Sequence, residues 1–496
     1  MRGSGVVKVL KRWSFTVLAV CLAVSLFAVS ASASNGNGDS QKKKENAART
    51  FFNVKDYGAK GDGTTNDRAA VQAAITAAEE KGGTVYLPGG NYLLQGSGSE
   101  LLLIKRPIHI LGDGFLSRLV VASNVPNTTD VIRILPDLSI GWQFGIDSIN
   151  IIPQEGSKPA RHALNIDIST YPQFLAKLLV QNCYFWQLGG NSVKLTNPKG
   201  DPSLFTSSFE NNVFYGGLSL LNAGDSINIL GNTITGDNIG VELSQVVGAA
   251  KVVIAFNNIT SAGGAIRVTE GNQVKILYNQ IEQNVPHTSA HQAAISLDGE
   301  VNPVVFSQIV GNNVNGWGYA GHVDHAIKIG NAAYTKISGN TLATGTIGII
   351  KVEPEATLTE IGYDNSFLSN TGFVPRANAI DDSGIITLGV EKPATLSNGW
   401  VDYDQSAFGK ASFSRDMNGK VSLDGLIKDG SLTAGTAILT LPEGFRPAKA
   451  KKFTVSTIEN GVAIIGEIQV LATGQVLFMR GGNDYLSLNG ISFLAE

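Results

Sequence analysis

Apolar residues recur in pairs, one residue apart, through the middle of the chain: Val193/Leu195, Leu218/Leu220, Val241/Leu243, Ile266/Val268, Ile295/Leu297, Ile327/Ile329 and Ile350/Val352. That spacing puts both members of a pair on one face of a strand and the residue between them on the other. A second signal keeps step with the first. An Asn followed one residue later by an apolar residue appears at Asn182, Asn211, Asn232, Asn257, Asn279, Asn312, Asn340 and Asn365, in steps of 21 to 33 residues. Strand-period alternation inside so long a repeat predicts a β-solenoid with loops of variable length, rather than an all-β sandwich. The Asn side chains would then stack at one corner of the coil and hydrogen-bond along its axis.

Upstream the period changes. Val71, Ala74, Ile75 and Ala78 lie at helical spacing within Arg68 to Lys81, with Asn66 or Asp67 as the cap and Gly82 behind. Thr84 to Tyr92 and Ile108 to Gly114 read as strand–turn–strand. The run Asp56-Tyr57-Gly58-Ala59-Lys60-Gly61-Asp62-Gly63, the helix behind it and Leu87-Pro88-Gly89-Gly90 resemble the entry module of the pectate-lyase-like superfamily. These are right-handed parallel β-helices that include polygalacturonase-like and phage tailspike-like proteins. The resemblance implies that the helix covers the first rung, where an open coil would leave strand edges unpaired. It also implies that a homotrimer is the expected assembly, as in tailspike-like chains.

From about Leu396 the text becomes antiparallel hairpins: Gly399-Trp400, Gly419 to Gly425, Leu441 to Pro447 and Leu486 to Phe493. This predicts a separate sandwich over 396–496. It resembles the C-terminal modules of phage tail and receptor-binding proteins, which implies glycan binding or trimerisation. The fold class expected is therefore all-β: a right-handed parallel β-helix over 50–395, with an N-terminal capping α-helix and a C-terminal antiparallel β-sandwich.

Residues 1–33 read as a signal peptide: Arg2, Lys8, Lys11 and Arg12, then an apolar run from Phe15 to Val29, then Ala31-Ser32-Ala33. The apolar run is short for a membrane span. Residues 34–49 read as a disordered leader. The expected product is secreted and extracellular, with no membrane attachment after cleavage. The 496 residues carry 38 Lys+Arg against 41 Asp+Glu; without the leader's four basic residues the balance is 34 against 41, a net of −7. A phosphate-hugging nucleic-acid binder is excluded by that balance. Only 16% of residues are charged and 57 are Gly, which suits short strands and tight turns. Of two cysteines, Cys21 leaves with the leader and Cys183 remains, so no disulfide framework exists.

Few charges make their placement informative. Between the apolar pairs lies an outward column: Asn165, Lys194, Ser219, Glu242, Arg267, Ser296, Lys328, Lys351. Two positions on runs a second: Asp167, Thr196, Leu221, Ser244, Thr269, Asp298, Gly330, Glu353. Charge concentrates between 240 and 355, and the two longest neighbouring repeats bracket that region. One insertion holds His287 and His291; the next holds Trp317, Tyr319, His322, Asp324 and His325. Rungs about 4.8 Å apart form a flat face on which a polysaccharide can lie.

Glu242, Arg267, Asp298, Lys328, His322, Asp324 and His325 are the catalytic candidates; Glu270, His287, His291, Trp317, Tyr319, Lys351 and Glu353 are the substrate-binding ones. Solvated ion pairs and loop polarity are the competing reading. Two mechanisms fit. β-Elimination on a uronic-acid polymer needs a base at C5 and cations on the carboxylate, for which Arg267, Lys328 or Lys351 with a His would serve. Hydrolysis needs two carboxylates, from Glu242, Asp298 and Glu353, with Glu270 and Glu300 at the strand ends. The polygalacturonase motifs are not intact: Gly321-His322-Val323-Asp324 and Ile327-Lys328-Ile329 only echo them.

The expected partner is an extracellular, anionic polysaccharide cleaved on the coil's lateral face, with elimination favoured. The alternatives are a non-catalytic glycan-binding or fibre protein, and a transferase or epimerase using the same face. No cofactor is required by this reading and no metal site is assigned. Asp62 and Asp67 are candidate calcium ligands, against a tight turn and a helix cap.

Overall fold

A computed structural model describes residues 50–137, 140–169, 174–186, 188–198, 203–244, 251–282, 293–315, 325–343, 349–369, 372–375, 379–384, 386–416 and 418–495, and counts of elements refer to these. The expected signal peptide, 1–33, and the expected disordered leader, 34–49, lie outside them.

The chain winds into a parallel β-helix. One turn runs Val253–Ala255, Asn258–Ser261, Ile266–Val268, and the next begins at Lys275–Leu277 directly beneath the first strand. Strands in equivalent places form three long sheets of 15, 13 and 11 strands, here called I, II and III. Register is kept residue for residue, as in Val241↔Ile266↔Ile295↔Ile327↔Ile350 on sheet III. Every predicted apolar pair therefore points inward. Stacks such as Ile229, Ile254, Ile276, Ile309 and Ile337 on sheet I and Ile234, Ile259, Ile281 and Val314 on sheet II are fully buried. The interior is filled by short strands whose one inward side chain is apolar, and this burial is the main source of stability.

The turn between sheets I and II carries an asparagine ladder, one residue away from part of its expected position. Its members are Asn212, Asn232, Asn257, Asn279, Asn312, Asn340 and Asn365. Asn257 is representative. Its Nδ2 donates to Asn279 Oδ1 at 2.9 Å and to Ile229 O at 2.9 Å, and its backbone N–H donates to the same Oδ1 at 3.0 Å. Asn211 and Asn182 stand one place earlier, at positive φ of 55° and 54°. Cys183 occupies the top of the ladder, its backbone N–H donating to Asn212 Oδ1. In the same left-handed position other rungs carry Gly231, Gly311 and Gly339, so Asn there answers a conformational need rather than the stacking one.

The helix Arg68–Lys81 buries Val71, Ala74, Ile75 and Ala78 against the first rung, as its spacing predicts. Its polar face pairs with the open edge of sheet III, the strand Glu100–Ile104. Gln72 donates to Leu103 O at 2.9 Å and accepts from Leu103 N at 2.8 Å, so its amide acts as a missing strand; Arg68 donates to Leu101 O and Glu100 O. Asp67, expected as a cap or calcium ligand, is buried and accepts from the backbone of Lys60 and Gly61. Asp62 accepts from Thr64 N, Thr65 N and Thr65 Oγ1, and these bonds hold its carboxyl well below the usual range. Both are occupied by turn-forming bonds.

Beyond the coil, sheets of 4 and 7 antiparallel strands enclose a second core that includes Trp400, Leu423, Phe445, Ile468 and Phe478. The strand Ile386–Leu388 still pairs with the coil, whereas Lys392–Pro393 pairs with Ser412–Arg415. The change of sheet thus falls a few residues before 396.

Candidate functional site on sheet III

Both outward columns exist. On sheet III, Arg133, Asn165, Lys194, Ser219, Glu242, Arg267, Ser296, Lys328, Lys351 and Asp381 succeed one another rung by rung in register. The pleat turns them outward between buried neighbours, so their spacing is fixed by backbone pairing and not by flexible loops.

In the lower rungs the charges neutralise one another. Arg267 donates to Glu242 Oε1 at 3.1 Å and to Glu300 Oε1 at 2.9 Å. Lys328 lies 3.4 Å from Asp298 and 3.6 Å from Glu353, and Lys351 pairs with Asp381. Asp298 can lean over the next rung because residue 330 is Gly: a Cβ there would sit 2.1 Å from the Asp298 carboxylate. Glu270 is buried and its carboxylate is taken by Asn302 Nδ2. His325 is half-buried at the start of the strand His325–Ile329, opposite Ala293. Of the expected residues, Glu242, Arg267, Asp298, Lys328, Lys351 and Glu353 share one face. His287, His291, Trp317, Tyr319, His322 and Asp324 lie outside the described residues.

The upper rungs differ, and most of their chemistry was not expected from the sequence. Arg133 bridges Glu100 and Asp167 at 3.0 and 2.6 Å. Buried Asp130 accepts from Arg161 Nη2 at 2.6 Å and from Asn165 Nδ2 at 2.7 Å. Thr196 Oγ1 donates to the other end of Asn165, fixing its amide. Bonds from Ser169 and Arg133 hold the Asp167 carboxyl below its ordinary value although burial pushes the other way.

Beside this brace stand Lys194 and His162. Lys194 Nζ donates to Ser219 Oγ at 2.9 Å, and Ser219 donates to Glu242 Oε2 at 2.9 Å. Among the described residues no carboxylate lies within ion-pair distance of Lys194. Burial pulls its amine below the ordinary range, with Glu242 opposing. His162 Nδ1 accepts from Asn191 N at 2.9 Å, which puts the proton of the neutral ring on Nε2. Burial lowers this imidazole to about 4, and the charges of Arg161 and Lys194 push the same way against Asp130. The result is an amine below its ordinary range, hydrogen-bonded through Ser219 to Glu242 of the ladder below, beside a neutral imidazole able to donate and a guanidinium held by Asp130.

Arg133 could have been found by extending the column one repeat upward, since Ile132 and Ile134 flank it as an apolar pair. His162 lies in a turn and has no periodic signal. Among the described residues no cluster of three or more His, Cys, Asp or Glu has the geometry of a metal site.

A family model, "Rhamnogalacturonase A/epimerase, pectate lyase-like", matches residues 51–319. Alginate lyase 7 of Azotobacter vinelandii is 52% identical over 67 residues, 13% of this chain and 8% of that protein. Mannuronan C5-epimerase AlgE2 of the same organism is 54% identical over 68 residues, 13% of this chain and 7% of that protein. The chain thus spans less than a tenth of the length of either relative. Among solved structures, the surface protein and adhesin PfbA of Streptococcus pneumoniae aligns with 68% of this chain and 99% of its own, at 17% identity and a TM-score of 0.47.

Proposed function

Because the chain belongs to the rhamnogalacturonase A/epimerase, pectate lyase-like family, we propose that it is an enzyme acting on a uronic-acid polysaccharide by removing the proton at C5, on the outer face of sheet III. The observation that carries this reading is Lys194: a half-buried amine below its ordinary range, with no carboxylate partner among the described residues, on a face where the neighbouring charges are paired. Isolated, perturbed titratable groups in such settings are candidate bases.

The chemistry follows from the neighbours. The C5 proton is acidified by the adjacent carboxylate once cations and hydrogen-bond donors take up its charge. Arg161 and the Nε2–H of His162 are the groups for that carboxylate. The C5–H bond breaks, its proton passes to Lys194 Nζ, and Ser219 and Glu242 stabilise the ammonium formed. In elimination the C4–O bond then breaks, a C4–C5 double bond forms, and the leaving oxygen takes a proton from water. The lower ladder, from Arg267 to Glu353, grips the polymer. Hydrolysis suits this face less well. Glu242, Asp298 and Glu353 are each paired with a cation, so none of them stands free to flank a glycosidic bond.

Elimination is the preferred outcome. Epimerisation shares the first step and differs only in returning a proton to C5; the local likeness to mannuronan C5-epimerases favours it as the second reading. The test is a panel of polymannuronate, polyguluronate and polygalacturonate in deuterated water. New ultraviolet absorbance from the C4–C5 double bond marks elimination, and deuterium at C5 without absorbance marks epimerisation. New reducing ends with neither, or no change in any polymer, overturns the proposal.

A further inference from the structure

Sheet II carries a second concave site, on a different face of the coil from the ladder. Its floor is aromatic. Tyr184 and Trp186 follow one another on the same side of one rung, and Tyr215 lies on the next. The Trp186 ring is 5.5 Å from Tyr184 and 4.7 Å from Tyr215. Phe115, carried on the turn Gly114–Leu116, meets Tyr184 edge-on at 6.0 Å. That turn is pinned by Asn150, whose buried amide donates to Gly114 O at 2.9 Å. Phe115, Asn150, Tyr184 and Trp186 line a cavity of about 510 Å³, with Tyr215 backing Trp186 from the next rung.

Two features separate this from ordinary packing. Phe115 is 62% exposed and Trp186 is 41% exposed, although each is held at a fixed angle by its neighbours. Rigid, solvent-facing aromatic rings are costly to leave bare and well suited to stack on flat, weakly polar ligand faces. The second feature is charge. Arg118 stands 4.6 Å over the Phe115 ring and its Nε donates to Phe115 O, which fixes the guanidinium at the cavity wall. No carboxylate of the described residues lies within ion-pair distance of it, whereas most arginines of the coil are so paired, among them Arg106, Arg133, Arg161 and Arg267. Asn91, in register with Arg118 on the rung above, adds an amide at the edge. Glu155 also lines the cavity, so the fit is one carboxylate at Arg118 and not a dense polyanion.

We propose that this cavity is a second, non-catalytic binding site for an acidic sugar chain, which stacks a pyranose ring on Trp186 and Tyr184 and places its carboxylate on Arg118. It holds polymer on sheet II while chemistry proceeds on sheet III, and it requires no residue of the ladder.

The test is affinity electrophoresis of the full chain in gels containing polymannuronate, polygalacturonate or neutral dextran, in a Lys194→Ala background so that any turnover does not remove the probe. Both acidic polymers, or one of them, should retard the protein and dextran should not. Trp186→Ala and Arg118→Gln should each weaken the retardation at least about threefold, with unfolding midpoints unchanged. Phe115→Ala, at a more exposed position, provides the same readout if Trp186→Ala lowers the midpoint. Phe256→Ala removes a stacked, exposed aromatic elsewhere on the coil and should have no effect. Full retardation of Trp186→Ala, Phe115→Ala and Arg118→Gln overturns the site, as do equal retardation in dextran, no retardation in either acidic gel, or an equal loss in Phe256→Ala. Because the readout is binding, its failure leaves the C5 chemistry untouched, and loss of that chemistry leaves this site standing.

Discussion

The upper and lower halves of sheet III are built on one pleat, in one register, with similar residue types, and yet they present different chemistry. Below, from Glu242 to Asp381, cations pair with carboxylates of neighbouring rungs. Above, Arg133 is held between Glu100 and Asp167, Arg161 binds Asp130 through Nε and Nη2 with Nη1 outside that pair, and Lys194 is left with a hydroxyl. The two halves meet at Ser219, which passes a hydrogen bond from Lys194 to Glu242. The difference teaches that the amount of charge on a face does not locate its reactive point. In the lower ladder Asp381 pushes the Lys351 amine up and holds its proton on, whereas Lys194, without a counter-ion and partly buried, is pulled the other way.

The sharpest way to break this contrast is to delete one cation from each half. Lys194→Ala should lower kcat at least about a thousandfold, the scale of losing a positioned base. Lys194→Arg should be equally inactive, because a guanidinium does not give up its proton near neutrality. Lys328→Ala should instead raise KM by about tenfold with a small change in kcat, as expected for a group that grips polymer without taking part in proton transfer. Steady-state kinetics on the responsive polymer of the panel reads both. If Lys328→Ala abolishes turnover and Lys194→Ala does not, the reactive point lies in the lower half.

A second contrast concerns pH. The His162 imidazole titrates at about 4 in the folded chain against 6.5 ordinarily. Between those values the unfolded chain binds a proton that the folded chain refuses, so stability is fully present above about 6.5 and falls as pH drops toward 4. The loss amounts to about 3 kcal/mol. Denaturant midpoints followed from pH 7 to 4 should show this limb, and His162→Gln should flatten it. Asp167, held below its ordinary value by Ser169 and Arg133, keeps its contribution across this range and loses it only at lower pH, where its carboxylate takes up a proton. A limb that survives in His162→Gln would assign the titration to another group.

The parts of this architecture that obey a period were legible in the sequence. The helix stripe from Val71 to Ala78, the inward pairs from Val193/Leu195 to Ile350/Val352 and the outward column between them all follow from spacing alone. The asparagine ladder was legible in kind but shifted at its top. At 211–212 two Asn stand together, and the parity of the following strand decides between them: Phe214 points inward, so Asn212, two residues before it, faces the ladder and Asn211 takes the left-handed turn. His162 and Arg161 were not legible because they sit in a turn, where neither a period of two nor of 3.6 operates, and Asp130 because its role depends on partners some thirty residues away. Lys194 was legible as a position and not as an anomaly, since the lack of a counter-ion is a property of the folded neighbourhood.

The smallest effect separates the two halves most finely. Arg267 and Glu242, with side chains 24% and 23% exposed, form a part-buried pair in contact with a third charge, Glu300. A double-mutant cycle of Arg267→Ala and Glu242→Ala should give a stability coupling of about 1 kcal/mol, at the upper end for pairs that water still reaches, and it should shrink as salt is added. The same cycle run between Lys194→Ala and Glu242→Ala should give a much smaller stability coupling, because Ser219 stands between the charges. Glu242→Ala alone, with Lys194 in place, should nevertheless shift the pH dependence of kcat. Removing Glu242 takes away the one charge that holds the Lys194 proton on, so the rising limb of activity should move to lower pH. A large Lys194–Glu242 stability coupling with an unmoved pH limb would make Lys194 one more member of the saturated ladder and would erase the distinction between the halves.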